Sequence, residues 1–143
     1  MNNSKNTQLT GSVTKNGENI SIQEAREYID NYVREDCTGK PKDQIVVGHK
    51  FDLTLIKAFM NEIDRLIREG NPIDSIRIYH AKSTRPSTMK YDLDLVIVPT
   101  HENDVDHHIV YEPMTASSPE PAILGHSTPC PNVCQKTLRP CPE

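Results

Sequence analysis

"SIRIYHAKSTRPSTMKYDLDLVIVPT", residues 75–100, carries the pattern that decides the fold. Its hydrophobic period is two. Ile76 and Ile78 alternate with Arg77 and Tyr79, and Leu93, Leu95 and Ile97 alternate with Asp92, Asp94, Val96 and Val98. Successive side chains of a strand point to opposite faces, so each run predicts a strand. The polar connection "KSTRPSTMK" fits a hairpin loop, which makes the two strands antiparallel neighbours. A third short run, "HIVYEPM", residues 108–114, follows the polar loop "HENDVDH" and is closed by Pro113, completing a three-strand meander.

Upstream the period is helical. In "ISIQEAREYIDNYVRED", Ser21 is a suitable N-cap, Glu24 stands three residues on as its capping-box partner, and Ile20 can staple against Ala25. Ile22, Ala25, Ile29, Tyr32 and Val33 then recur as one apolar stripe. A second helix is capped by Asp52, carries Leu55, Ile56, Phe59, Met60, Ile63, Leu66 and Ile67 on a wide stripe, and stops at Gly70, Asn71 and Pro72. Between the helices, "QIVVG" is a β-prone run available as a fourth, edge strand. The prediction is an α+β domain over residues 20–112, with two helices packed on a three- to four-strand, mainly antiparallel sheet.

The flanks differ in composition. Residues 1–19 are Asn-, Ser-, Thr-, Lys- and Gly-rich with scattered apolar residues, and read as a flexible arm. Residues 113–143 hold seven of the 11 prolines and few large apolar residues, among them Ile123, Leu124, Val133 and Leu138. Such a segment is extended, docked on the domain, or held by its thiols.

Composition narrows the function classes. The chain has 143 residues, enough for one ordinary domain. A formal charge of -4 provides no basic field for a phosphate backbone, and 5% aromatic content without Trp provides no base-stacking platform, so nucleic acid is a disfavoured partner. Neither a secretory h-region nor an apolar run of membrane-spanning length is visible, and the expected compartment is the cytoplasm. There, four cysteines read as reduced thiols or metal ligands before they read as structural disulfides.

Chemistry is concentrated in the tail. In "GHSTPCPNVCQ", His126, Cys130 and Cys134, joined by Cys141, supply four ligands of the type zinc prefers. Pro131 suits the first position of a helical turn, which would put the sulfurs of Cys130 and Cys134 on one side. That geometry serves a metal or a disulfide equally, and an exposed tail with free thiols needs neither. Cys37, at the end of the first helix, is a further ligand or disulfide partner by type.

Two other clusters compete with bland explanations. Asp92 and Asp94 point the same way on one strand, and the segment resembles the Asp-x-Asp strand of nucleotidyltransferases. That resemblance implies magnesium held by both carboxylates, but the family's Gly-Ser phosphate loop is replaced by "AKSTRPS", without glycine. A strand with one wet face is the simpler account of the pair. In "HENDVDHH", His101, Glu102, Asp104, Asp106, His107 and His108 are dense enough to attract a transition metal, yet loops collect Asn and Asp for turn chemistry alone. His49 and His80 stand at element ends, where histidines are commonly exposed or structurally hydrogen-bonded.

The order of "ISIQEA", "SIRIYHA", a further strand and "PCPNVC" resembles a group of small Bacteroidetes proteins with an Ile-Arg-Ile-Tyr strand and a Cys-Pro-x-x-Cys tail. The group brings no activity with it, so the resemblance implies a shared fold and a recurring tail. The function expected from the sequence is therefore that of a non-enzymatic interaction or structural protein. Its tail would be fixed by zinc or a disulfide, or become ordered on a protein partner. A magnesium-dependent nucleotidyltransferase using Asp92 and Asp94 is the competing class.

Overall fold

The structure, a computed structural model, describes residues 13–14, 16–41, 45–85, 90–108 and 120–130. It is an α+β fold in which every strand pairing among the described residues is antiparallel. The chain divides into two compact units, residues 1–39 and 40–143.

The first unit holds β1 (Val13–Thr14), β2 (Gly17–Glu18) and α1 (Ile22–Asp36). β1 and β2 form a minimal hairpin inside the stretch expected to be a flexible arm. The cause is local: Asn16–Gly17 is a turn dipeptide, and Gly17 sits at φ 134°, which a side chain would oppose. α1 starts as its sequence dictates. The Ser21 hydroxyl accepts from the Glu24 amide at 3.0 Å, and the Glu24 carboxylate accepts from the Ser21 amide at 3.0 Å.

The second unit contains β3 (Gly48–Lys50), α2 (Leu53–Arg68), β4 (Ile73–Arg85), β5 (Lys90–His101) and β6 (Thr128–Cys130). α2 begins at Asp52, whose side chain makes no capping hydrogen bond, and ends in a Schellman arrangement. There the Gly70 amide bonds Ile67 O at 3.0 Å and the Asn71 amide bonds Leu66 O at 3.1 Å, with Gly70 at φ 96°. Pro72 then prevents the helix from resuming.

β4 and β5 form the expected hairpin. Their register pairs Ile78 with Ile97 and Tyr79 with Val96, so the two faces of the ribbon are those read from the alternation. A bulge between Ile73 and Ser75 switches the parity of β4 and turns Ile73 into the core. That core joins Phe59 and Ile63 of α2 with Ile73, Ile97 and Leu124, flanked by Phe51, Ile56 and Leu66. The spacing 56, 59, 63, 66 is the helical stripe, and Phe59 is 2% exposed.

Among the described residues of the run "QIVVG", Ile45 is buried and Gly48 opens β3, which pairs with β6. All but the first residue of the third expected strand, 108–114, lies outside the described residues. Residues 120–130 are docked on the second unit: Ala122, Leu124 and Ser127 are buried, and Leu124 bridges Ile97 through hydrogen bonds of 2.9 and 3.0 Å. Among the described residues no helix is long and apolar enough to cross a membrane.

The core assignment is checked by Phe59→Ala, expected to lower stability in urea denaturation by about 3–5 kcal/mol through a cavity between α2 and the hairpin. Gly70→Ala meets open space and should cost about 1–2 kcal/mol, from backbone strain alone.

Candidate functional site

The polar centre of the second unit is Asp94. It lies in the middle of β5 and is only 4% exposed, so its carboxylate must be matched by donors if it is to stay charged. Four are present. Oδ1 accepts from the Leu95 amide at 2.8 Å, the Ser127 amide at 2.8 Å and the Ser127 hydroxyl, and Oδ2 accepts from the His126 amide at 2.9 Å. Burial alone would raise its pKa, but the hydrogen bonds from Ser127, Leu95 and His126 outweigh it and hold the carboxyl below the ordinary aspartate value.

Three of these donors belong to residues 126 and 127, so the carboxylate acts as an anchor for the incoming C-terminal segment. His126 adopts φ 57°, the left-handed region, which turns its amide and that of Ser127 toward the same carboxylate. The His126 ring is exposed.

The chain of contacts continues to β3. His49 Nδ1 lies 2.9 Å from Ser127 Oγ. The serine proton is directed to ionised Asp94, so His49 Nδ1 must be the donor to Ser127 Oγ, leaving the lone pair on Nε2. Burial holds the His49 pKa below its ordinary value, Asp94 opposes that shift, and the like charge of His80 adds to it. The order Asp94–Ser127–His49 is not that of a nucleophilic triad, in which histidine stands between the acid and the hydroxyl. Ser127 is 1% exposed and hydrogen-bonded on both sides, as suits a structural relay.

A second anchor lies at the turn after β5. Asp106 accepts from Arg77 Nη1 at 2.9 Å, from Thr100 Oγ1 at 3.2 Å and from the Tyr79 hydroxyl, while Arg77 also pairs with Asp104. Asp104 takes φ 69°, and its amide closes the turn on His101 O at 2.8 Å. The loop "HENDVDHH" is thus a packed turn that locks Arg77 and Tyr79 onto one face of the hairpin.

Two of its histidines are interior. His101 and His107 are buried, with Nε2 of one 3.0 Å from Nδ1 of the other, and the His107 and His108 rings meet edge-on at 5.3 Å. His108 Nδ1 is buried and has no hydrogen-bond partner among the described residues. Also among the described residues, no group of three or more His, Cys, Asp or Glu is placed to hold a metal.

The residues singled out from sequence are described to different extents. Asp94 is brought to the centre, while Asp92 is described only as strand backbone, paired with Ser83. Of the four zinc-type ligands, His126 is fully described, Cys130 is described as backbone pairing with Gly48, and Cys134 and Cys141 lie outside the described residues. Cys37 is a free, buried thiol at the end of α1, in the first unit. Ser127 and His49 gain a connection that sequence reading did not make, because it depends on two residues 78 positions apart. No family model, curated protein or solved structure matches the chain.

The anchor is tested by Asp94→Asn, which puts an NH2 donor against amide donors. It should cost about 2–4 kcal/mol at neutral pH in urea denaturation. The pH dependence has a definite sign. The pKa is depressed on folding, so the stabilisation is complete above the unfolded aspartate pKa and is lost as pH falls through the folded value. The wild-type protein should lose stability into acid more steeply than the Asn variant; superimposable acid profiles would contradict the anchor. Separately, the His49 ring should titrate below 6.5 by NMR, and His80→Gln should move it upward.

Proposed function

We propose that the protein is a non-enzymatic interaction or structural protein whose second unit presents a proline- and cysteine-rich C-terminal segment. The observation that carries this reading is the use of Asp94. A carboxylate at the centre of a strand would be exposed and under-coordinated if it served a metal-dependent reaction, whereas this one accepts four hydrogen bonds, three of them from the base of the tail. β3 then pairs with β6, so the backbone is tied down as far as Cys130.

In this reading the segment beyond the anchor is the working part. His126, Cys130, Cys134 and Cys141 form a donor set that suits zinc, two or more of the thiols suit a disulfide, and the proline-rich stretch suits a protein partner. Zinc, if bound, would cross-link the tail and supply no reaction chemistry. The exposed His126 ring beside an anchored backbone supports its use as a ligand. The resemblance to small Bacteroidetes proteins with a similar tail belongs to the same proposal.

Native mass spectrometry of the full chain with and without chelator, combined with thiol counting under denaturing conditions, tests it. The expected result is one bound zinc lost on chelation, or a two-proton mass deficit. Four titratable thiols with no metal would overturn the cross-linked tail.

A further inference from the structure

The two edges of the β4–β5 hairpin are treated differently. The β5 edge is occupied, since Ile97 exchanges two hydrogen bonds with Leu124. Among the described residues β4 pairs only with β5, so past the bulge at Ile73–Ser75 its outer edge has no strand partner among them. One face of it is exposed, with Ile76 at 44%, Ile78 at 53% and His80 and Lys82 also exposed, whereas on the other Tyr79 is 42% exposed and Ser75, Arg77, Ala81 and Ser83 are half-buried. Beside Ile76 opens a groove of about 320 Å³, lined by Met60, Ile67 and Ile73 and by two carboxylates, Asp64 and Asp74.

From this edge we infer that the protein forms a two-fold symmetric dimer in which β4 pairs antiparallel with β4 of a second copy, centred on Ile78. The charges of the strand favour that register over the neighbouring one centred on residue 77. With Ile78 opposite Ile78, Ile76 falls opposite His80, Arg77 opposite Tyr79, and Asp74, at the bulge, opposite Lys82. Each copy thus sends Lys82 toward the groove bearing Asp64 and Asp74 of the other, and a lysine suits an apolar groove with acidic groups because its stem is apolar and its head charged. Moving the axis to residue 77 places Arg77 against Arg77, a like-charge pair directly opposite. Arg77 and Tyr79 are already held by Asp104 and Asp106 on the far face, so the pairing requires no rearrangement there. The ladder over residues 75–81 is about 24 Å long, and the exposed Ile76 and Ile78 would gain cross-strand neighbours from the second copy.

This inference is independent of the tail proposal, and the experiment keeps them apart. Sedimentation of the full chain is measured across concentration, in reductant to exclude intermolecular disulfides, and with and without chelator. The wild-type protein should sediment as a concentration-dependent dimer in both conditions. Ile78→Lys, at an exposed position, should give a monomer with unchanged circular dichroism. Lys82→Asp should weaken the dimer about tenfold, counting two pairs per interface, and adding Asp74→Lys should restore it. A wild-type monomer at 200 μM (roughly the weak end of specific association) would overturn the proposal, as would a dimer indifferent to Ile78→Lys. Failure of the charge swap to restore association would overturn the register, even if Ile78→Lys disturbed folding. A dimer lost only with chelator would instead assign association to the tail.

Discussion

A charged carboxylate in the middle of a sheet strand is tolerable only when donors surround it, and three of the four donors for Asp94 come from 32 and 33 residues further along the chain. That requirement organises the second unit. Bringing the amides of His126 and Ser127 to Asp94 lays residues 122–127 along the β5 edge, where Leu124 completes the core and shares two hydrogen bonds with Ile97. It also positions β6 to pair with β3 and sets Ser127 Oγ within reach of His49. A depressed pKa follows from the same donors, so the anchor is strongest where the carboxyl is ionised.

The hairpin has a comparable division of labour across its two faces. Toward α2 it offers Ile97, and Phe59 and Ile63 cover it, but the helix leaves Ile76 and Ile78 half exposed. On the other face Asp106 gathers Arg77, Tyr79 and Thr100 into one hydrogen-bonded group. A polar group of this kind fixes side-chain positions without adding apolar burial.

Much of this was legible in the sequence. The capping box of Ser21 and Glu24, the stripe through Phe59 and Ile63, the stop at Gly70 and the alternation of β4 and β5 all rest on local patterns that the fold obeys. The Asn16–Gly17 hairpin carried a recognisable turn signal within a stretch otherwise too polar to read as structured. The Asp94 anchor had no such signal. Its donors are mainly backbone amides, which every residue possesses, so nothing in the side-chain pattern marks 126–127 as the partner. For the same reason Asp94 read as part of a wet face, and Asp106 as an ordinary turn residue, although both are buried.

The central claim is that residues 120–130 are an integral part of the second unit, held through Asp94. Native-state hydrogen exchange at neutral pH tests it residue by residue. The account predicts that the His126 and Ser127 amides exchange on the same slow scale as the Ile97 amide in the core. Exchange of 126 and 127 at the rate of an unprotected chain, with Ile97 still protected, would contradict it.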